Sequence, residues 1–336
     1  MNYFQMDTKC LNYTTKCYMM IDNYYIMQEI VTTELREHLK GERLKIALEV
    51  NTLIRRKMSD ILVKHGFLEI PPVIFSSVTD PLNHPVYDPT FEYEGSRYSL
   101  TKSMIFHKQM IVQEIPKIYT FSPNVRLETA DKAKSGRHLL EFTQLDLEML
   151  NASREDAMKL GEELIKGAIE EVAKKLPDKL AILNRKLRVP ETPFKTYRYT
   201  EAKEKYGDDF EQKLSELEVD PFWIIDIPLK EREFYDREKD DEKGILRDMD
   251  LMYPEGFNEA ISGGEREYEI ERIKERVLAK GQTFEQFKWF LDYAEEGLQL
   301  SSGFGIGIER LVRYICGFKR IEDVHPFPKT PGKFSI

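Results

Sequence analysis

The sequence predicts an α+β fold, an antiparallel sheet backed by helices, and three observations carry that reading. Strand-like segments come in runs with helices between them, several of those strands are joined by short turns, and no internal repeat or low-complexity tract interrupts the 336 residues. At roughly 150 residues per domain, the length allows two domains or one large mixed one.

Taken in order, residues 1–27 are rich in Asn, Tyr, Thr, Met and Cys without a period. They are expected to be a disordered or over-extended start, the natural first residue being Met20 or Met27. Residues 28–40 suit a short helix, and 28–336 are expected to form one catalytic domain. From Gly41 to Gly66, apolar Leu44, Leu48, Ile54, Met58, Ile61 and Leu62 recur at helical spacing, and Gly66 closes the helix. Pro71 and Pro72 then stop it and a strand begins. Residues 91–100 resemble a hairpin turning at Glu94-Gly95, with a helix over 101–114. Strands are expected at 117–128 and 139–150, and a helix from Arg154 to about Leu176. The stretch 177–221 is charged and weakly patterned, with short helices near 199–218. Apolar 222–227 reads as a buried strand, 229–247 as a solvated charged loop, and 248–263 as a return to strand. Helices at 267–279 and 284–296 precede a glycine-punctuated strand and a last helix from Ile308.

Composition narrows the function. Fifty Lys plus Arg against 59 Asp plus Glu leave a formal charge of −9, which argues against a surface coated in basic groups for gripping nucleic acid. No stretch approaches the roughly 18 apolar residues of a membrane span, and a soluble cytoplasmic protein is expected. Cys10, Cys17 and Cys316 make no disulfide framework, and no Cys/His cluster has zinc spacing.

Three segments carry chemistry. In LLEFTQLDLEML, alternation places Phe142, Gln144, Asp146 and Glu148 on one face, opposite core residues Thr143, Leu145, Leu147 and Met149. In NVRLE, Asn124, Arg126 and Glu128 likewise oppose Val125 and Leu127, so two strands present one polar floor. The segment 301–317 runs Gly303, Gly305 and Gly307 straight into a helix whose first turn holds Arg310. Glycines let backbone approach a ligand closely, and a cation at a helix start asks for an anion or an aromatic partner. The third, NEAISGGEREYE at 258–269, joins Arg266 to Glu259 and Ser262, whose hard oxygens suit Mg²⁺ beside phosphates.

Together and in this order, these segments resemble the catalytic core of class II aminoacyl-tRNA synthetases, in the aspartyl and asparaginyl branch. PNVRLE with GRHLLEFTQLDLEM resembles the second motif of that class, GFGIGIERLVRYICG with HPFPKTPG the third, and GFLEIPPVI the first, which in the family builds the dimer interface. The resemblance covers about Leu44 to Pro331. It implies a sheet of six or seven antiparallel strands flanked by helices, and a homodimer through 41–66 and the strand after it. It also implies catalytic and ATP-binding roles for Arg126 and Arg310, with Glu128, His138, Phe142, Glu148, Gly305 and Gly307 completing the ATP site. Arg126 would hold the α-phosphate and the attacking carboxylate; Phe142 and Arg310 would sandwich adenine. Mg²⁺ would lie on Glu148, Glu259 and Ser262. Ser103, Lys108, Gln144, Asp146 and Arg266 would bind the amino acid, Lys108 and Arg266 clasping the side-chain carboxylate of aspartate. Family members carry an N-terminal anticodon-binding barrel, and nothing in 1–40 has the length for its five strands. A core of this kind without the barrel resembles the archaeal asparagine synthetases related to asparaginyl-tRNA synthetase. The reaction so implied joins aspartate, ATP and ammonia to give asparagine, AMP and pyrophosphate, with tRNA not expected as a partner. The alternative is a truncated aspartyl- or asparaginyl-tRNA synthetase charging tRNA or another carrier.

Overall fold

A computed structural model describes residues 33–333; the expected extension 1–27 lies outside them. A helix is described over 33–40 (α1), and α2 (Glu42–Lys64) follows. The α2 residues Leu44, Ala47, Val50, Ile54, Met58, Ile61 and Leu62 are buried, the stripe their three- and four-residue spacing requires. Gly66, at φ +81°, ends the helical path, a conformation that glycine adopts without strain. Behind the sheet, α2 packs against α4 (Arg154–Lys175) and α10 (Ile308–Cys316). Helix α4 opens with a capping box in which the Ser153 hydroxyl and the Asp156 carboxylate each accept from the other's backbone N–H.

The central sheet has eight strands, one or two more than expected. In spatial order they are β1 (Leu68–Glu69), β6 (Lys117–Val125), β8 (Glu141–Leu150), β13 (Ser301–Gly307), β12 (Asn258–Glu265), β11 (Asp248–Tyr253), β10 (Phe222–Ile225) and β9 (Lys195–Arg198). The interior pairs are antiparallel, whereas both edge pairs, β1 with β6 and β9 with β10, are parallel. Helices α6 (Tyr199–Tyr206) and α7 (Phe210–Leu217) form the crossover that a parallel β9–β10 pair needs. The chain between β1 and β6 builds a second, three-stranded sheet from β2 (Phe75–Ser76), β4 (Thr90–Tyr93) and β5 (Ser96–Leu100). The β4–β5 turn falls at Glu94-Gly95, φ +49° and +75°, as the sequence indicates. The expected helix over 101–114 is shorter, α3 (Ile105–Ile111).

Two other expectations change. The strand expected over 117–128 breaks at Arg126: β6 stops at Val125, and β7 (Leu127–Glu128) pairs with β3 (Val86–Tyr87) instead. Arg126 falls at the break, its backbone N–H still donating to Leu140 O at 2.8 Å. The segment 229–247 is not a solvated loop, since Phe234, Glu233 and Asp236 are buried. Its charges are satisfied inside the fold, which hides it from any reading of hydropathy.

Candidate active site

The floor follows the strand alternation. Gln144, Asp146 and Glu148 of β8 face the same way as their β6 neighbours Ser122, Thr120 and Ile118, while Leu145, Leu147 and Met149 enter the core. Asn124 donates to Gln144 Oε1 at 2.6 Å, joining the two strands across the floor. On the other side, β13 places Gly303, Gly305 and Gly307 in register with Glu148, Asp146 and Gln144. A methyl on Gly305 would lie 2.9 Å from Gln144 Nε2 and 3.2 Å from Asp146 Oδ1. The glycine row therefore leaves room for the floor's own polar side chains.

Two cavities open on this floor. The first gathers Arg126, Glu128, His138, Phe142, Gly307 and Arg310, all of them expected ATP residues. The second holds Ser103, Lys108, Asp146, Ser262 and Arg266. His84, Arg126, Gln144, Glu259 and Gly305 line both and so mark their junction.

The first cavity is electrostatically strained in favour of a polyanion. Burial, then the neighbouring Arg310 and Arg137, pull His138 down to about 4, so that its ring is neutral at pH 7. Burial and Arg310 likewise lower Arg137, and Arg313 falls to about 10 through burial, Arg310 and Arg137. Cations that depress one another gain when phosphate charge enters among them. Arg126 lies 5.2 Å from the Phe142 ring centroid and donates through Nε to Lys102 O at 3.0 Å. Arg310, expected above Phe142, instead bonds Glu259 at 2.9 Å. Although burial raises it, Glu259 is held at about 2, chiefly by Arg310 and then Arg137.

In the second cavity the expected clasp already has internal partners. Lys108 Nζ is 2.9 Å from Asp146 Oδ1 and 3.4 Å from Phe304 O. Arg266 donates to Glu148 Oε1 and Asp236 Oδ1, both at 3.0 Å, and through Nη2 to Gly303 O at 2.9 Å and Glu148 Oε2 at 3.3 Å. Lys108 thus keeps one N–H of three and Arg266 one of five. Ser103 accepts from Ile105 N at 3.2 Å, turning the chain into α3.

Glu148 corrects the expected ATP and metal sets. It is 0 % exposed, held by Arg266 and by the Ser301 hydroxyl at 3.1 Å, and borders neither cavity. Alternation fixes its face but not what covers it: Glu148 is the roofed end of the floor. Asp250, which the sequence reading passed over, stands where Glu148 was placed. It is opposite Ser262 in register, lines the second cavity with Glu259, and has a buried Oδ1 without a hydrogen-bond partner. Asp250, Glu259 and Ser262 supply hard oxygens on one wall and suit Mg²⁺, which takes its other ligands from phosphates and water. Among the described residues no three His, Cys, Asp or Glu side chains make a metal cage by themselves. Arg232, Asp236, Arg137 and His84 are further site residues the sequence reading missed. The first two come from the segment taken for solvated loop, and Arg232 bonds Asp248 at 2.9 Å and also Asp250.

A cationic cavity beside a broken strand and a glycine-opened helix, continuous with a small polar one on an antiparallel floor, defines a protein of class II synthetase architecture. A sequence model of the tRNA synthetases class II (D, K and N) matches residues 28–331, and the chain belongs to that family. It is 29% identical over 325 residues to an aspartate-tRNA(Asp/Asn) ligase of Sulfurisphaera tokodaii, covering 91% of this chain and 73% of that protein. It is 32% identical over 254 residues to an asparagine-tRNA ligase of Pelotomaculum thermopropionicum, covering 71% and 58%. Its fold resembles the asparaginyl-tRNA synthetase of Pyrococcus horikoshii complexed with asparaginyl-adenylate, TM-score 0.84 at 25% identity, over 91% of this chain and 73% of that one. The relatives bear the names of tRNA ligases, and membership of their family makes this chain an AMP-forming ligase. No helix of the described residues is long and apolar enough to cross a membrane.

Proposed function

We propose that the chain activates aspartate with ATP, forming aspartyl-adenylate and pyrophosphate, and passes the acyl group to an acceptor. One observation carries this: the nucleotide cavity and the amino-acid cavity meet at Arg126, Gln144, Glu259 and Gly305, where a carboxylate and an α-phosphate would be brought together. Arg126 donates to both reacting groups as charge builds between them, a preorganised donor in a partly desolvated site. Phe142 carries the adenine, and Arg310 would cover it on exchanging its Glu259 partner for the nucleotide. Glu128 accepts from the adenine amino group, and Arg137 and His138 meet the outer phosphates. The spare N–H groups of Lys108 and Arg266 converge on the substrate's second carboxylate, and the unpartnered Asp146 Oδ2 accepts from its ammonium. Mg²⁺ on Asp250, Glu259 and Ser262 would neutralise phosphate charge.

For the acceptor, the relatives speak for tRNA: proteins matching most of this chain bear the names of tRNA ligases. The earlier expectation that tRNA is not a partner is therefore not carried forward. The reading as ammonia-dependent asparagine synthesis keeps one support. In the second cavity Asp80, Asp146, Asp236, Asp248, Asp250 and Glu259 outnumber Lys108, Arg126, Arg232 and Arg266, and oxygens of Asp146, Asp248 and Asp250 are unpartnered. Such a wall suits a small cation, ammonium included, better than the phosphates of an RNA end. Purified protein given aspartate, ATP, ¹⁵N-ammonium and tRNA decides between them. Aminoacyl-tRNA as the sole product supports the first reading, and ¹⁵N-asparagine formed without RNA the second. We also read the protein as a homodimer, because Leu68, Ile74 and Phe75 leave an apolar patch just beyond α2.

A further inference from the structure

We propose that His84 is a positioning residue that aims the Glu128 carboxylate at the exocyclic amino group of the nucleobase and thereby sets nucleotide selectivity. His84 lies between β2 and β3 on a segment to which no role is yet attached, and it borders both cavities. Its Nε2 is 3.0 Å from Glu128 Oε1. Its Nδ1 is 3.3 Å from Asn83 Oδ1, and the orientation of that amide is fixed because Asn83 Nδ2 donates to Glu231 O at 2.7 Å. Both ring nitrogens thus face oxygens that can accept, and the two contacts hold the ring in place.

Glu128 is 6 % exposed, and its second oxygen, Oε2, is buried with no hydrogen-bond partner. Burial raises the Glu128 carboxyl, but the hydrogen bond and charge of His84, with His138 and Arg126, bring it below the usual carboxylate range. The result is an ionised carboxylate on the wall of the nucleotide cavity, with one oxygen committed and the other without a partner. An amino group donates to that oxygen in a charge-assisted bond, whereas the carbonyl of hypoxanthine or guanine would oppose it. His84 touches neither base nor phosphate in this account; it acts by holding Oε1.

The inference rests on the nucleotide cavity assigned above, and its test separates the two. Calorimetric Kd values for Mg-ATP and Mg-ITP are measured on the full chain and on the His84→Ala, His84→Gln, Glu128→Gln and His84→Ala/Glu128→Gln variants. The KM for aspartate in pyrophosphate exchange is measured alongside. His84→Ala is expected to weaken ATP about tenfold, the worth of one well-aimed hydrogen bond to a charged group. ITP binding and the aspartate KM should hardly move, His84→Gln should recover most of the loss, and in the Glu128→Gln background removing His84 should add nothing. Equal weakening of ATP and ITP, with a raised aspartate KM, would reduce His84 to a loop support and overturn the proposal. An unchanged ATP/ITP ratio in His84→Ala would also overturn it while leaving the proposed function standing; a wild type that binds neither nucleotide overturns both.

Discussion

Lys108 and Arg266 show how a residue can be foreseen by type and still be misjudged in context. Both line the second cavity, yet each is already paired with buried carboxylates, Lys108 with Asp146 and Arg266 with Glu148 and Asp236. Removing one partner of such a pair leaves uncompensated charge, so Lys108→Met should cost about 3–5 kcal/mol in urea unfolding as well as aspartate affinity. The same reasoning separates the two glutamates that sequence could not tell apart. Glu148→Gln should lower the unfolding midpoint and leave the Mg²⁺ requirement alone. Glu259→Gln should raise the Mg²⁺ concentration needed for half-maximal activity severalfold, with a smaller loss of stability than Glu148→Gln because its side chain is less buried. The opposite pattern would restore Glu148 to the metal site. Alternation named the face of Glu148 because side-chain direction is local; its cover comes from Arg266, 118 positions away, which no local pattern reports.

At the scale of elements, long periodic segments were legible and short or internally paired ones were not. Helices α2 and α4 and strands β8 and β13 fall close to where spacing places them. The two-residue β1 and the four-residue β9 carry too little period to register, and both make the parallel edge pairs that the expected antiparallel sheet lacked. Arg232 and Asp236 were missed because a charged run looks solvated until its partners are known. Helix α10 carries a pH prediction. Glu309, in its first turn, accepts from Thr143 N with both oxygens at 3.0 Å, and burial pushes its carboxyl up to about 7 from 4.5. Between those values the folded chain holds a proton that the unfolded chain has released. This contribution to stability is therefore present at pH 4.5 and is lost as the pH rises toward 7, at up to about 1.4 kcal/mol per unit. Urea titrations at pH 5 and pH 7.5 should show that difference shrinking in Glu309→Gln. Within β13, a methyl on Gly303 would fall inside contact distance of Glu148 and of the Leu147 carbonyl. Gly303→Ala should lower stability by about 1–3 kcal/mol, read by thermal unfolding.

Across the whole molecule, a chain of net charge −9 gathers Arg126, Arg137 and Arg310 around one cavity and more carboxylates than cations around its neighbour. In the proposed function the first takes a triphosphate and the second an ammonium-bearing acid, and the broken strand at Arg126 lies where the two cavities meet. That shared boundary is the central claim, and aspartate-dependent exchange of labelled pyrophosphate into ATP, compared between the wild type and Arg126→Ala, tests it most directly. The account expects exchange that requires both aspartate and Mg²⁺ in the wild type, and a loss of about 100- to 1,000-fold in the variant with its fold intact by circular dichroism. Exchange in Arg126→Ala within twofold of the wild type would contradict it.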